Sequence, residues 1–126
     1  MRPEEAIGKA VLDAAMAVHT AIGAGLLESA YETCLAYELS RRGVRFRRQV
    51  VIPIKYGDIV LDAGYRLDLL VENLVVVELK SVDKLTAVHK AQLLSYLKLG
   101  GFWLGYLLNF NVVHMKDGIQ RVVYGW

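Results

Sequence analysis

Asp68, Glu78 and Lys80 interrupt an otherwise apolar run, Tyr65-Arg-Leu-Asp-Leu-Leu-Val-Glu-Asn-Leu-Val-Val-Val-Glu-Leu-Lys80. The run predicts two strands, Tyr65–Val71 and Leu74–Leu79, joined around Glu72-Asn73 as a short hairpin. Charges at the ends of buried strands are costly unless paired, hydrogen-bonded or bound to a metal. Residues two apart on a strand face one side, so Glu78 and Lys80 project together. A three-residue loop at Glu72–Leu74 sets Asp68 across from Glu78, and a two-residue loop moves it by one position.

The rest of the chain frames this hairpin with helices. Ile7, Ala10, Val11, Ala14, Val18, Ala21 and Ile22 recur at helical spacing and predict a helix over 4–22. Pro3 suits its first turn, Glu4 and Glu5 favour its positive end, and Gly23-Ala-Gly25 breaks it. A second helix is predicted over 27–42, with Leu27, Ala30, Tyr31, Cys34, Leu35 and Leu39 as its apolar stripe and Gly43 as its stop. Phe46–Tyr56 reads as a strand, at an edge because of Pro53. Gly57-Asp58 turns, Ile59–Leu61 is a short strand, and Asp62-Ala-Gly64 turns again. Leu85–Leu99 reads as a helix with Val88, Ala91, Leu94 and Leu97 inward. Phe102–Phe110 is a continuous apolar, central strand. Val112–Met115 and Ile119–Tyr124 form a last hairpin across Lys116-Asp-Gly118. The expected order is ααβββ(β)αβββ, an α/β fold with a mixed β-sheet flanked by helices. No repeat, linker or low-complexity segment appears.

Length and composition limit the classes open to such a chain. With 126 residues, 55% of them hydrophobic, it suits one globular domain, 1–126. The longest apolar stretch, Phe102–Leu108, is far short of the roughly 20 residues a membrane helix needs. The start, Met-Arg-Pro-Glu-Glu, lacks the layout of a signal peptide. One cysteine, Cys34, allows no internal disulfide and points to a reducing cytoplasm; on its helical stripe it reads as a core thiol. A formal net charge of +2 is too small to argue nucleic-acid binding from bulk charge. Five arginines are nevertheless concentrated at Arg41, Arg42, Arg45, Arg47 and Arg48.

The chemistry these residues suit is metal-assisted phosphodiester hydrolysis. Two carboxylates ligate a hard divalent cation through oxygen, the cation polarises a phosphoryl oxygen and acidifies water, and Lys80 orients that water or stabilises developing charge. Glu-x-Lys at a strand end is ordinarily a solvated ion pair, so the reading leans on Asp68 about ten residues upstream. Gln92, on the following helix, shares a face with Tyr96; by itself that is an ordinary polar face. Glu28, in Gly25-Leu-Leu-Glu-Ser-Ala-Tyr31, is by itself a carboxylate favoured by a helix dipole.

Asp68, Glu78-Leu79-Lys80 and Gln92 together resemble the active-site pattern of the PD-(D/E)XK nuclease superfamily. Gly25-Leu-Leu-Glu28-Ser-Ala-Tyr31 resembles the name-giving motif of the GxxExxY proteins, a branch of that superfamily. The resemblance runs from about Ile7 to the C-terminal strands. It implies a restriction-endonuclease-like core in which Asp68 and Glu78 bind Mg²⁺, with Mn²⁺ as a substitute, and Lys80 acts on the water or the phosphate. Glu28 enters as a third acidic group on the metal, and Gln92 supports the metal and its water. Leu67 stands where the superfamily name has proline, a position that varies.

Arg47, Arg48, Arg66 and Tyr96 are candidate substrate contacts. Arg41 and Arg42 equally close a helix, Arg47 and Arg48 equally solvate a strand, and Arg66 is expected to pair with a carboxylate. His19, His89 and His114 have no zinc-like spacing, although His89, three before Gln92, is placed to line a cleft. Tyr31 and Tyr37 read as core or interface, Trp103 as core, and Trp126 as frayed or docked against a partner. The resulting expectation is a Mg²⁺-dependent nuclease acting on DNA before RNA. The alternative is a catalytically silent nuclease-fold module that binds nucleic acid or a partner protein. High apolar content also leaves room for a homo-oligomer.

Overall fold

The computed structural model describes residues 2–62 and 65–125. The expected turn at Ala63 and Gly64 and the docking of Trp126 lie outside the described residues. Helix α1 spans Pro3–Ile22 and α2 spans Glu28–Arg41. Five strands follow: β1 (Phe46–Val51), β2 (Ile54–Tyr56), β3 (Ile59–Leu61), β4 (Arg66–Val71) and β5 (Val75–Lys80). Then come α3 (Ala87–Gly100), β6 (Leu104–Asn109), a short 3₁₀ turn at Met115–Gly118 and β7 (Ile119–Val123).

The main sheet has the order β1-β4-β5-β6-β7. β5 and β6 run parallel because α3 carries the chain across between them, and the other neighbours are antiparallel. α1 and α2 cover one face, where Val11, Ala14, Tyr31, Leu35 and Leu39 pack on Leu69, Val75, Val77 and Leu79. α3 covers the other, where Leu93, Tyr96 and Leu97 pack on Leu67, Leu70, Val76 and Leu107. β4, β5 and β6 are thus sandwiched, which is why they read as nearly continuous apolar runs. The mixed, helix-flanked sheet is the expected class.

Several local expectations are corrected. Pro53 divides the predicted strand 46–56, so β2 leaves the main sheet and pairs only with β3 as a separate hairpin. Val112–Met115 is not a strand. β7 pairs directly with β6, while Phe110 and Met115 enter the core along the connection. A side chain at Gly118 would meet the Asn109 carbonyl oxygen, so this approach demands glycine. The order is therefore two helices, five strands, one helix and two strands. α3 buries Leu93, Tyr96 and Leu97, leaving Val88 and Leu94 exposed. Steps of three turn back by about 60° each on a helix of 3.6 residues per turn, so Val88, Ala91, Leu94 and Leu97 do not form one face. Leu27 caps α2 and is exposed rather than on its buried stripe.

Candidate metal centre

β4 and β5 pair as Val71↔Val75, Leu70↔Val76 and Leu69↔Val77, around a three-residue loop. One step further sets Asp68 opposite Glu78, but there side chains take over from the backbone ladder. The Asp68 N–H donates to Glu78 Oε2 (2.9 Å), and the Leu79 N–H donates to Asp68 Oδ2 (2.8 Å). The strands fork at this point, and both carboxylates are held in the fork by main-chain donors. Val76 belongs to the α3-side core, so alternation carries Glu78 and Lys80 toward α3.

Glu78 is only 6% exposed. Burial first, then the neighbouring Asp68 charge, pushes its pKa up from 4.5 to about 9, against the opposing pull of the Asp68 amide and the Lys80 charge. Tyr96, buried on α3, is raised by burial and then by the charge of Glu78, which sets it close to the pair. Lys80 ends β5 in register with Asn109. Among the described residues its ammonium is not ion-paired.

Asn109 is buried and holds the segment beyond Lys80. Its side chain accepts from the Val82 and Asn111 N–H groups (3.1 and 3.2 Å) and donates to the Val82 carbonyl (3.0 Å). The loop before α2 is fixed to the same end of the sheet, since Ser81 Oγ donates to the Leu26 carbonyl (2.6 Å). Tyr31 closes that loop from inside: its hydroxyl donates to the Gly23 carbonyl (2.7 Å) and accepts from the Leu26 N–H (3.1 Å). Its ring stacks on Phe110 with centroids 4.5 Å apart. Gly25, at φ +90°, takes a conformation that a side chain would strain. Gly25 and Tyr31 therefore shape the loop that presents Glu28.

The chain matches the family model of the PD-(D/E)XK nuclease superfamily over residues 5–122. It belongs to that superfamily. Comparison with curated proteins and with solved structures gives no match. The five-stranded mixed sheet between helices is the restriction-endonuclease-like fold expected of such a member.

The fold of this superfamily member brings Asp68 and Glu78 together, with Lys80 and Tyr96 beside them. It does not gather Glu28 into the expected three-acid set: among the described residues no group of three or more His, Cys, Asp or Glu side chains is placed to hold a metal. Glu28 is exposed at the first turn of α2, and Gln92 is exposed one turn before Tyr96 on α3. His89 is engaged in capping α3, where its Nδ1 accepts from the Thr86 N–H (3.0 Å).

Most of the arginine cluster is committed to ion pairs: Arg41 and Arg42 to Glu38, Arg45 to Glu72, and Arg48 to Glu32. Arg47 and Arg66 are exposed and make no ion pair among the described residues, so the carboxylate partner expected for Arg66 is not found.

Two residues with no place in the expected site reach it as well: Gln49 Nε2 donates to Asp68 Oδ1 (3.5 Å) and to Glu32 Oε1 (2.8 Å). Glu32 lies one turn after Glu28 and so shares its face of α2, which is the one signal that pointed to it. Gln49 is a lone amide in a β-rich stretch, and nothing local marks it.

Proposed function

We propose that this chain is a Mg²⁺-dependent nuclease of the GxxExxY branch, with 1–126 acting as one nuclease domain on DNA before RNA. The observation that carries the reading is the fork in which Asp68 and Glu78 stand side by side, each held by an amide of the opposite strand, with Lys80 beside them. An oxygen-only donor set of two close carboxylates fits a hard cation such as Mg²⁺, or Mn²⁺ in its place. Burial first and the Asp68 charge second disfavour an ionised Glu78 in the metal-free protein, a penalty that a bound cation would offset. Asp68 and Glu78 would hold the ion. When bound, it supplies Lewis-acid polarisation of a phosphoryl oxygen and a more acidic water.

The chain's own groups do the rest. Lys80, free of ion pairs among the described residues, orients the attacking water or stabilises charge on the phosphate. Glu28 and Gln92 act from the rim on water and substrate, Tyr96 lines the α3 wall, and Arg47, Arg66 and Arg48 meet the phosphate backbone, Arg48 by leaving Glu32. Such contacts give affinity without sequence choice, so target selection falls to a partner protein or a second copy. A single cysteine suits work in a reducing cytoplasm. Among the described residues no helix is long and apolar enough to cross a membrane.

Cleavage of single-stranded, duplex and branched DNA and of RNA with Mg²⁺ or Mn²⁺ tests the proposal. Activity lost in Asp68→Ala and Lys80→Ala supports it. No cleavage of any substrate by the wild-type protein defeats it.

A further inference from the structure

Gln49 sits in the middle of β1 at φ +53°, a left-handed conformation that a non-glycine residue in a strand adopts only when its surroundings impose it. The register shows what this does. β1 and β4 pair as Arg48↔Leu69 and Val50↔Leu67, so Gln49 falls opposite Asp68 at the one step between them. Phe46 packs into the α1/α2-side core and Arg48 reaches Glu32 on α2, yet Val50 and Ile52 pack on the α3 side. Residues two apart on a regular strand share a face, so β1 exchanges faces at Gln49. β4 does the same at Asp68, since Leu67 lies in the α3-side core and Leu69 in the opposite one. The two switches are opposite each other, and the β4–β5 ladder ends at this level.

The Gln49 side chain spans the same point. Its Nε2 donates to Glu32 Oε1 (2.8 Å) and to Asp68 Oδ1 (3.5 Å). Glu32 is in turn anchored by Arg48, whose Nε donates to Oε2 (3.0 Å). α2, which begins at Glu28, is thereby linked through Glu32 and Gln49 to the outer oxygen of Asp68, while the Leu79 amide holds the other oxygen.

We propose that Gln49 is a positioning residue of the Asp68–Glu78 centre: its left-handed backbone turns Asp68 out of the ladder, and its amide fixes the Asp68 carboxylate against α2. The metal consequence rests on the nuclease reading; the geometric one does not. A structural filler at an edge strand needs neither a strained backbone nor a donor aimed at a carboxylate.

The test is amide hydrogen exchange on the metal-free protein, with Mg²⁺ titration calorimetry alongside. Gln49→Glu keeps the size but replaces the donor with an acceptor. It is expected to speed exchange of the Leu79 amide about tenfold, the scale of one lost hydrogen bond, while the β6–β7 ladder stays protected. Gln49→Gly accepts the left-handed backbone without strain and so folds even where Gln49→Glu does not; the same local loss at Leu79 is expected. Unchanged Leu79 exchange in Gln49→Gly, or a uniform rise across the whole sheet, overturns the assignment. Mg²⁺ affinity is expected to fall about tenfold in both variants. A wild-type protein that binds no Mg²⁺ defeats the nuclease reading instead, and the exchange data still judge Gln49.

Discussion

Asp68 and Glu78 are cross-tied through the main chain: Glu78 Oε2 accepts the Asp68 N–H, and Asp68 Oδ2 accepts the N–H of Leu79, the neighbour of Glu78. Each carboxylate thus completes the hydrogen bonding of the strand opposite it where the ladder has ended. The pair is structural and chemical at once, and substitutions must be chosen to separate the two.

Asp68→Ala leaves the buried Leu79 amide without its acceptor, at a cost of about 1–3 kcal/mol. Asp68→Asn keeps an oxygen for that amide and removes the charge. Thermal melts should therefore show Asp68→Asn above Asp68→Ala, while calorimetry shows Mg²⁺ binding lost in both. Equal melting temperatures would mean that the Leu79 bond contributes nothing.

Glu78 governs the pH response. Its folded pKa of about 9 lies above the reference value of 4.5, so the folded state holds this proton more tightly than the unfolded chain does. The stabilising contribution is complete below 4.5 and is lost as pH rises through about 9. Metal-free protein should lose stability across that window, and Mg²⁺ affinity should rise across it as the competing proton leaves. Melting curves at several pH values, with and without Mg²⁺, check both slopes. Glu78→Gln should flatten the metal-free slope, stabilise the metal-free protein at pH 8 by about 1–3 kcal/mol, and abolish metal binding.

The pairing of Asp68 with Glu78 was legible in the sequence only as one of two registers, and the three-residue loop Glu72–Leu74 selects it. What imposes the fork was not legible. A glutamine at φ +53° has no local signature; it is set by contacts with Glu32 and Asp68 from elements far apart in sequence. The face of α3 was misread for a different reason: Leu93, Leu94, Leu97 and Leu99 make the helix apolar on several sides, and only packing selects Leu93, Tyr96 and Leu97. The last hairpin failed because β7 has β6 as its partner, a choice made by the sheet.

Tyr31 links the loop motif to the fold. Tyr31→Phe keeps the stack on Phe110 and deletes the bonds to Gly23 and Leu26. It should cost about 1 kcal/mol in denaturant unfolding and speed amide exchange at Leu26. A nuclease rate that falls with it would show that the loop presenting Glu28 contributes to turnover; an unchanged rate would confine Tyr31 to stability.

Lys80 should separate charge stabilisation from metal binding. Lys80→Met is expected to lower the cleavage rate by about 10²–10³ while Mg²⁺ still binds. Because the Lys80 charge pulls the Glu78 pKa down, its loss should also move the onset of Mg²⁺ binding to higher pH. A full loss of Mg²⁺ affinity at every pH would instead make Lys80 part of the metal framework.

Arg47 and Arg48 are neighbours with different commitments. Arg48 is bonded to Glu32 and Thr33 on α2, whereas Arg47 is exposed and makes no ion pair among the described residues. A cation that neutralises a phosphate releases counterions, so its removal lowers the salt dependence of binding by about one unit of slope. Arg47→Ala should weaken nucleic-acid binding in this way with little change in melting temperature. Arg48→Ala should lower stability by about 0.5–1.5 kcal/mol through the loss of its bonds to Glu32 and disturb the Glu32–Gln49 link to Asp68. Binding isotherms at several salt concentrations, set beside thermal melts, check the contrast; identical behaviour of the two variants would argue against it.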